Sequence, residues 1–528
     1  MKCKICQQVF NKDERDLLPC NYCPNCRVRN LLSYRNERSL HKRKCDLCHE
    51  DLISTYRPDA PFKVYCNHCW WSDKWSEPGS FKKRDQGGDG LDYATDYDKN
   101  KDFISQFKQL FFKIPHLGMN VTNSVNCDFT NYSDKNKDCF LLINALADEN
   151  VYYSERMFFS KDCVDCNGLT NCQLCFWCTS CRDCYYTRWS EFCEGCTDLD
   201  FCYDCKGCQN CFGSFGLRNK QYVYFNEQLT EKEYKQKTEG EHTYSRLHDL
   251  KIRVYSHWLK YPHRFANIKI SENTTGDNVT RAKNCEYIFD ADEMENCRHC
   301  YVGIRAKDSQ YCVPADEAER CFNNMSTWKS YNVNCSLGCW YSSDILYSYN
   351  CMSCSNCLGC ASLNKKKFCI LNKQYSEYEY RKLEKIIIEK LKQQNVYGDF
   401  FPVEFCMFPY NDSIAYEYYP LKKEEAISLG YKWAELEEKI INLKLPVCNS
   451  CGQNYRIIKQ EKDLYKRMNL PEPQACPKCR YQNRSKRRNA RKLYNRECAK
   501  CKKSIASSYE PDRPEIIYCN ECYQEEIY

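Results

Sequence analysis

Nowhere in the 528 residues does an apolar run approach the roughly 18 residues that a membrane-crossing helix needs. The opening MKCKICQQVF also lacks the apolar core of a secretory signal. Both absences lead to the expectation of an intracellular protein in a reducing compartment, the cytoplasm or a virion, with no membrane partner. Catalytic signatures are missing too: there is no HExxH, no GxxxxGK followed by Ser or Thr, and no GxSxG. The nine histidines show no helical pairing, and the CPKC that begins at Cys476 lacks the neighbouring His and Glu of a zinc deaminase. The chain is therefore expected not to be an enzyme. Net charge is only +7, so a basic partner surface has to come from local clustering.

What the chain has is cysteine. There are 45, and in a chain expected inside the cell such a number means metal ligands rather than disulfides. Fifteen of them lie between residues 127 and 211, all in a single frame of three. Seven recur at an offset of 146, where Cys139, Cys166, Cys175, Cys193, Cys205, Cys208 and Cys211 fall on Cys285, Cys312, Cys321, Cys339, Cys351, Cys354 and Cys357. In that second copy eleven of twelve cysteines keep the frame and only Cys335 departs. The middle of the protein is thus an internal duplication.

Other members of the frame are mostly small or apolar: Ser133, Leu142, Ala145, Val151, Ser154, Met157, Ser160, Leu169 and Leu199 in the first copy, and Ile288, Ala291, Met294, Ala306, Ala315, Ala318, Ser330 and Ile345 in the second. A helix repeats near 3.6 and a flat strand at 2, so neither explains the pattern. A β-solenoid whose coil length is a multiple of three does, because inward residues then stack on inward residues. With a twelve-residue coil one column runs Asn136, Asp148, Ser160, Cys172, Cys184, Cys196, Cys208. A wider coil of about 18 to 21 residues would give Leu142 and Met157 more room. The pattern resembles the core of narrow insect antifreeze β-helices, but the threonine ladders of an ice-binding face are missing and that function is rejected.

Both termini repeat CxxC. Cys3 and Cys6, Cys23 and Cys26, Cys45 and Cys48, and Cys66 and Cys69 open the chain. Cys448 and Cys451, Cys476 and Cys479, Cys498 and Cys501, and Cys519 and Cys522 close it. Each pair can form a knuckle with two thiolates, and two knuckles complete a tetrahedral zinc site, so about four Zn2+ are expected. Cys20 is left over and could replace Cys23. His68, between Cys66 and Cys69, reads as a knuckle residue. The two termini are copies of one unit, for Arg27, Arg35, Arg38, Tyr56 and Pro58 align without a gap on Arg480, Arg488, Arg491, Tyr509 and Pro511.

The stretch CNSCGQNYRIIKQEKDLYKRMNLPEPQACPKCR resembles the treble-clef zinc-ribbon family, which pairs a leading CxxC with a later CPxCR. The resemblance implies that Cys448, Cys451, Cys476 and Cys479 hold that family's metal. The N-terminal copy departs by a shorter loop between Cys6 and Cys23. Through FPYNDSIAYEYYPLKKEEAISLGYKW and RNARKLYNRECAKCKKSIASSYEPDRPEIIYCNECY, the chain also resembles uncharacterised zinc-ribbon proteins of environmental bacteria and large viruses. That resemblance brings no established activity.

Between the two cysteine sets of each terminus lies a basic segment expected to include a helix. Arg480, Arg484, Lys486, Arg487, Arg488, Arg491 and Lys492 mark one, and Arg27, Arg35 and Arg38 the other. Rigid knuckles on either side could hold these groups against phosphate, which makes nucleic acid the expected partner. The alternatives are a solvated helix or one that packs on acidic surface of the same chain, which leaves a scaffold with protein partners.

The expected organisation is a two-zinc module over residues 1–75, a linker and amphipathic helix over 76–119, and solenoid copy 1 over 120–229. A helical connection follows over 230–272, then solenoid copy 2 over 273–375. A helix and a small mixed segment fill 376–443, and a second two-zinc module fills 444–528. The fold class is mainly β, a duplicated Cys-rich solenoid with helical caps flanked by zinc-ribbon modules. Phe103, Phe107, Leu110 and Phe111 are expected to cap the open start of copy 1. Thr230 with Glu233, and Ser376 with Glu379, are capping boxes that start a helix after each copy. Cys172, Cys175, Cys178, Cys181 and Cys184 resemble a ferredoxin run but lack its longer gap and its proline. The central thiols are therefore expected to be reduced, small core fillers, with zinc between coils as the next reading and iron–sulfur the third.

Overall fold

A computed structural model describes residues 1–72, 90–168, 175–176, 185–241, 244–316, 318–435 and 445–527. The central strands pair in parallel at an offset of twelve: Val151 on Cys163, Leu199 on Cys211, Cys211 on Val223, and Val333, Ile345, Cys357 and Cys369 in succession. The coil is therefore twelve residues long, and Leu142 and Met157 fit inside it fully buried. Pairings recur every three residues around the coil, as at Val125 with Lys137, Asp128 with Phe140 and Asn131 with Ile143. Extended chain cannot close so small a ring. In most described triplets the residue before the inward one supplies the turn, with φ near +50°, as at Asn126, Phe129, Tyr132, Asp138 and Leu141.

Such a backbone is unfavourable for most L-residues and least so for Asn and Asp. Where those two types occupy the turn they also join coils. Asn126 donates to Asp138 at 3.0 Å, Asn150 to Asp162 at 3.0 Å, Asn296 to Asp308 at 2.9 Å and Asn332 to Asp344 at 2.8 Å. Copy 2 begins with one shorter step, Ile268 pairing with Val279. Gly276 sits in the next coil at φ 148°, and a Cβ there would lie 1.7 Å from the Ile288 carbonyl oxygen.

Accounting for the three N–H groups of a triplet explains the choice of cysteine and serine. Two of them bond to neighbouring coils through the backbone, as Val125 N–H does to Asn136 O at 2.9 Å and Asp138 N–H to Val125 O at 3.0 Å. The third belongs to the inward residue, and where a Ser, Cys, Asn or Asp stands one coil back it meets that side chain. Cys202 N–H donates to Ser190 Oγ at 3.0 Å, Cys360 N–H to Ser348 Oγ at 3.1 Å and Cys208 N–H to Cys196 Sγ at 3.4 Å. That side chain passes its own proton to the carbonyl two residues before it, Ser190 to Arg188 O at 3.0 Å and Cys202 to Asp200 O at 3.4 Å. Where cysteine or serine fills the inward site, it is thus a small side chain that both accepts and donates. The described central thiols are more than the apolar fillers expected from sequence.

Both capping boxes form, at the helices Glu231–Thr238 and Glu377–Gln393. Before each helix the last coil turns back on itself, with Tyr224 opposite Glu227 and Ile370 opposite Lys373 in antiparallel pairs. These close the C-terminal edges of the solenoids, which would otherwise offer unpaired backbone. The apolar helix forms over Phe103–Lys113, but not as a cap for copy 1. Its Phe107 stacks on Phe401 at 5.2 Å and its Phe111 meets Tyr349 at 4.9 Å, so it covers the flank of copy 2. Described residues 398–435 hold short helices and no strand, and the rest of the expected mixed segment, 436–443, lies outside the described residues.

Two compact units result. One comprises Met1–Met119, Ala266–Glu435 and Ala490–Leu493, hence the N-terminal module and copy 2. The other comprises Asn120–Phe265, Leu436–Asn489 and Tyr494–Tyr528, hence copy 1 and the C-terminal module.

Candidate metal centres and their basic helices

In each module a hairpin turn and a helix start present the second set of thiols. Cys45 and Cys48 occupy the turn between strands His41–Lys44 and Asp51–Ser54, and Cys498 and Cys501 the turn between Tyr494–Glu497 and Ser504–Ser507. Their partners cap helices: Cys66 precedes Asn67–Trp70 and accepts Cys69 N–H at 3.4 Å. In the first sets Cys23 precedes the helix Pro24–Ser33 and Cys476 the helix Pro477–Ser485. Proline suits that first helical position because its missing N–H would have no intrahelical partner.

The thiols converge in four sets: Cys3, Cys6, Cys23, Cys26; Cys45, Cys48, Cys66, Cys69; Cys448, Cys451, Cys476, Cys479; and Cys498, Cys501, Cys519, Cys522. Within each set the sulfurs lie within 4.8 Å of one another, and each set could hold a metal ion. Across the knuckles the sulfurs stand 3.8 Å apart for Cys6 and Cys23, 3.9 Å for Cys48 and Cys66, 3.8 Å for Cys451 and Cys476, and 3.7 Å for Cys501 and Cys519. A tetrahedron with metal–sulfur bonds of about 2.3 Å has edges of about 3.8 Å, so the donors fit such an ion.

The backbone prepares them for it. Cys23, Cys66, Cys476 and Cys519 each donate N–H to a sulfur of the leading knuckle at 3.2 to 3.3 Å. Burial raises the Cys448 thiol, but N–H groups of Cys476, Cys451 and Ser450 outweigh it and bring the thiol down to about 6. Cys498 is held at about 6 by the same balance. Cys20 does not replace Cys23. It is buried outside the set, with the Asn323 amide 4.0 Å from its sulfur. His68 is exposed on its short helix and belongs to none of the four sets.

Most of the arginines in the basic segments face carboxylates of the same unit. In the copy 1 unit Arg480 bonds Glu461 at 2.7 Å and lies 3.1 Å from Asp165, while Arg484 bonds Asp165 at 2.6 Å and Tyr153 O at 3.0 Å. Asp165 and Glu461 have fully buried side chains. Arg487 pairs with Glu191 and Arg488 with Glu155, both at 2.7 Å. In the copy 2 unit Arg491 pairs with Asp290 at 2.7 Å and lies over Tyr418. Arg27 pairs with Asp16 at 2.8 Å over the Tyr311 ring, and Arg35 with Glu37 at 2.5 Å. Arg38 is half-buried, and Lys486 and Lys492 are exposed. Seven of the ten expected phosphate contacts therefore bind carboxylates of their own unit, which are Asp16, Glu37, Glu155, Asp165, Glu191, Asp290 and Glu461.

Sequence reasoning missed those acids. The sole signal for Asp165 is its place directly before a framed cysteine, Cys166. Cys172, Cys178, Cys181 and Cys184, with the side chain of Cys175, lie outside the described residues, so the ferredoxin-like run is not placed. No protein-family model matches this chain, and no curated protein matches it.

Proposed function

We propose that the chain is a non-enzymatic scaffold in which four structural zinc ions clamp the terminal modules and the modules brace the solenoids. The observation that carries this reading is the commitment of the arginines of the basic segments to carboxylates of their own unit, most of them buried. Asp165 alone receives two guanidinium groups with no exposed side chain among the three. Freeing them for phosphate would leave Asp165 and Glu461 as unpaired buried charges, which is costly. All-thiolate donors in tetrahedral spacing suit zinc, a closed set of four being the structural type of site. Hairpin knuckle plus helix start also supports the treble-clef reading.

When bound, zinc would supply cross-links between knuckles that small modules need in place of a large core. Metal analysis of protein purified under reducing conditions should give about four zinc and no iron per chain. A clear zinc excess or stoichiometric iron would move the function into the solenoid. A gel shift on mixed DNA and RNA at low salt checks the nucleic-acid alternative. Under the scaffold reading no shift occurs, and a shift lost on reversing the charge of Lys486 and Lys492 would overturn it.

A further inference from the structure

Among the described cysteines of the two solenoids, Cys127 is the one that is not buried. It lies on the first coil of copy 1, where Asn123, Val125, Asn126 and Asp128 are exposed, Val125 at 58%. Its sulfur bonds Val125 O at 3.2 Å. One coil on, directly stacked on it, is Cys139, which is buried and bonds Lys137 O at 3.2 Å. Residues in register across a parallel ladder stand about 4.8 Å apart, inside the ~4.4–6.8 Å between Cα atoms that a disulfide spans. Similar stacks recur deeper, as with Cys196 and Cys208 or Cys285 and Cys297, but there both thiols are buried.

We propose that Cys127 is an oxidant-sensitive modification site, with a hydroperoxide as co-reactant and Cys139 as the resolving thiol. The Cys127 thiolate attacks the outer peroxide oxygen and the O–O bond breaks. Sulfur loses two electrons to give a sulfenic acid, and the peroxide leaves as hydroxide or alkoxide. The Cys139 sulfur then attacks the Cys127 sulfur, and the S–O bond breaks. Water leaves carrying the Cys139 proton, and a disulfide remains.

Accessibility, thiolate character and an adjacent second thiol are what such chemistry needs. The second is met as well. The neighbouring Cys139, through its thiol and its N–H, outweighs burial and brings the Cys127 thiol down to about 7. The disulfide would withdraw the protons that now reach Val125 O and Lys137 O, at the outermost coil and nowhere else in the ladder.

The test uses the full, reduced, zinc-loaded chain. Iodoacetamide near neutral pH, read by peptide mass spectrometry, should label Cys127 at least about tenfold faster than any other described solenoid cysteine. Limiting hydrogen peroxide should then join the peptides of Cys127 and Cys139. Cys127→Ser should abolish that product. Cys139→Ser, which keeps an acceptor and donor at the inward site, should leave Cys127 trapped as a dimedone-reactive sulfenic acid. Labelling of Cys127 no faster than of Cys163 or Cys211, or peroxide oxidation with no Cys127–Cys139 product, would overturn the proposal.

Discussion

Asp148 shows what the inward frame demands of a single residue. It continues the column between Asn136 and Ser160, accepting Ser160 N–H at 2.7 Å through Oδ1 while its own N–H bonds Asn136 Oδ1 at 2.8 Å. Its other oxygen, buried, has no partner. Burial lifts its carboxyl to about 7, only partly offset by the Ser160 donors. The folded value thus lies above the unfolded one near 3.9. Its contribution to stability is whole below about pH 3.9 and is lost as pH rises through about 7. Asp148→Asn keeps the acceptor and removes the charge. It should stabilise the protein at pH above about 7, by up to about 4 kcal/mol, and change little at low pH. Urea unfolding of both proteins across that range checks this, and a variant that keeps the full pH dependence would refute the assignment. The frame itself was legible, because most of the residues inside a narrow coil are small or apolar. The hydrogen-bonding reason was not, since it depends on which N–H the coil leaves over.

At the scale of elements, the cysteine knuckles and the basic helices differ in how far their partners lie along the chain. Each knuckle is a local CxxC, and the matching of knuckles follows their order, so the four sets could be read from spacing. Arg484 and Asp165 are 319 residues apart, and no local pattern joins them. The charge run therefore looked like a surface for phosphate. Capping boxes, by contrast, are local and were legible, as at Thr230 and Ser376. Asp165→Asn tests the arginine contact directly, because it keeps the shape and leaves Arg480 and Arg484 short of a buried counter-charge. It should cost about 3–5 kcal/mol, whereas Glu191→Gln, opposite the more exposed Arg487, should cost about 1 kcal/mol or less. Equal losses in denaturant unfolding would mean that the buried network does not brace the helix.

At the scale of the molecule, neither compact unit is a continuous stretch of chain. The N-terminal module belongs with copy 2 and the C-terminal module with copy 1, although each lies beside the other copy in sequence. Duplication could be read from the 146-residue offset, but the pairing of modules with copies could not, because both modules carry the same cysteine order. A cut between Phe265 and Ala266 divides both units at once. Fragment 1–265 keeps Asp165 without Arg480 or Arg484, and keeps Asp13 and Asp16 without Arg298, which bonds both acids in the copy 2 unit. Fragment 266–528 keeps the arginines without Asp165. Each fragment alone should then unfold at clearly lower urea than the whole chain, with its charges left unpaired in half-made contacts. Mixed with zinc and thiol reductant, the two should recover the transition of the intact chain, since every contact within each unit is restored. If each fragment alone unfolds cooperatively at the midpoint of the whole chain, the division into these two units is refuted, and the modules are independent of the solenoids they touch.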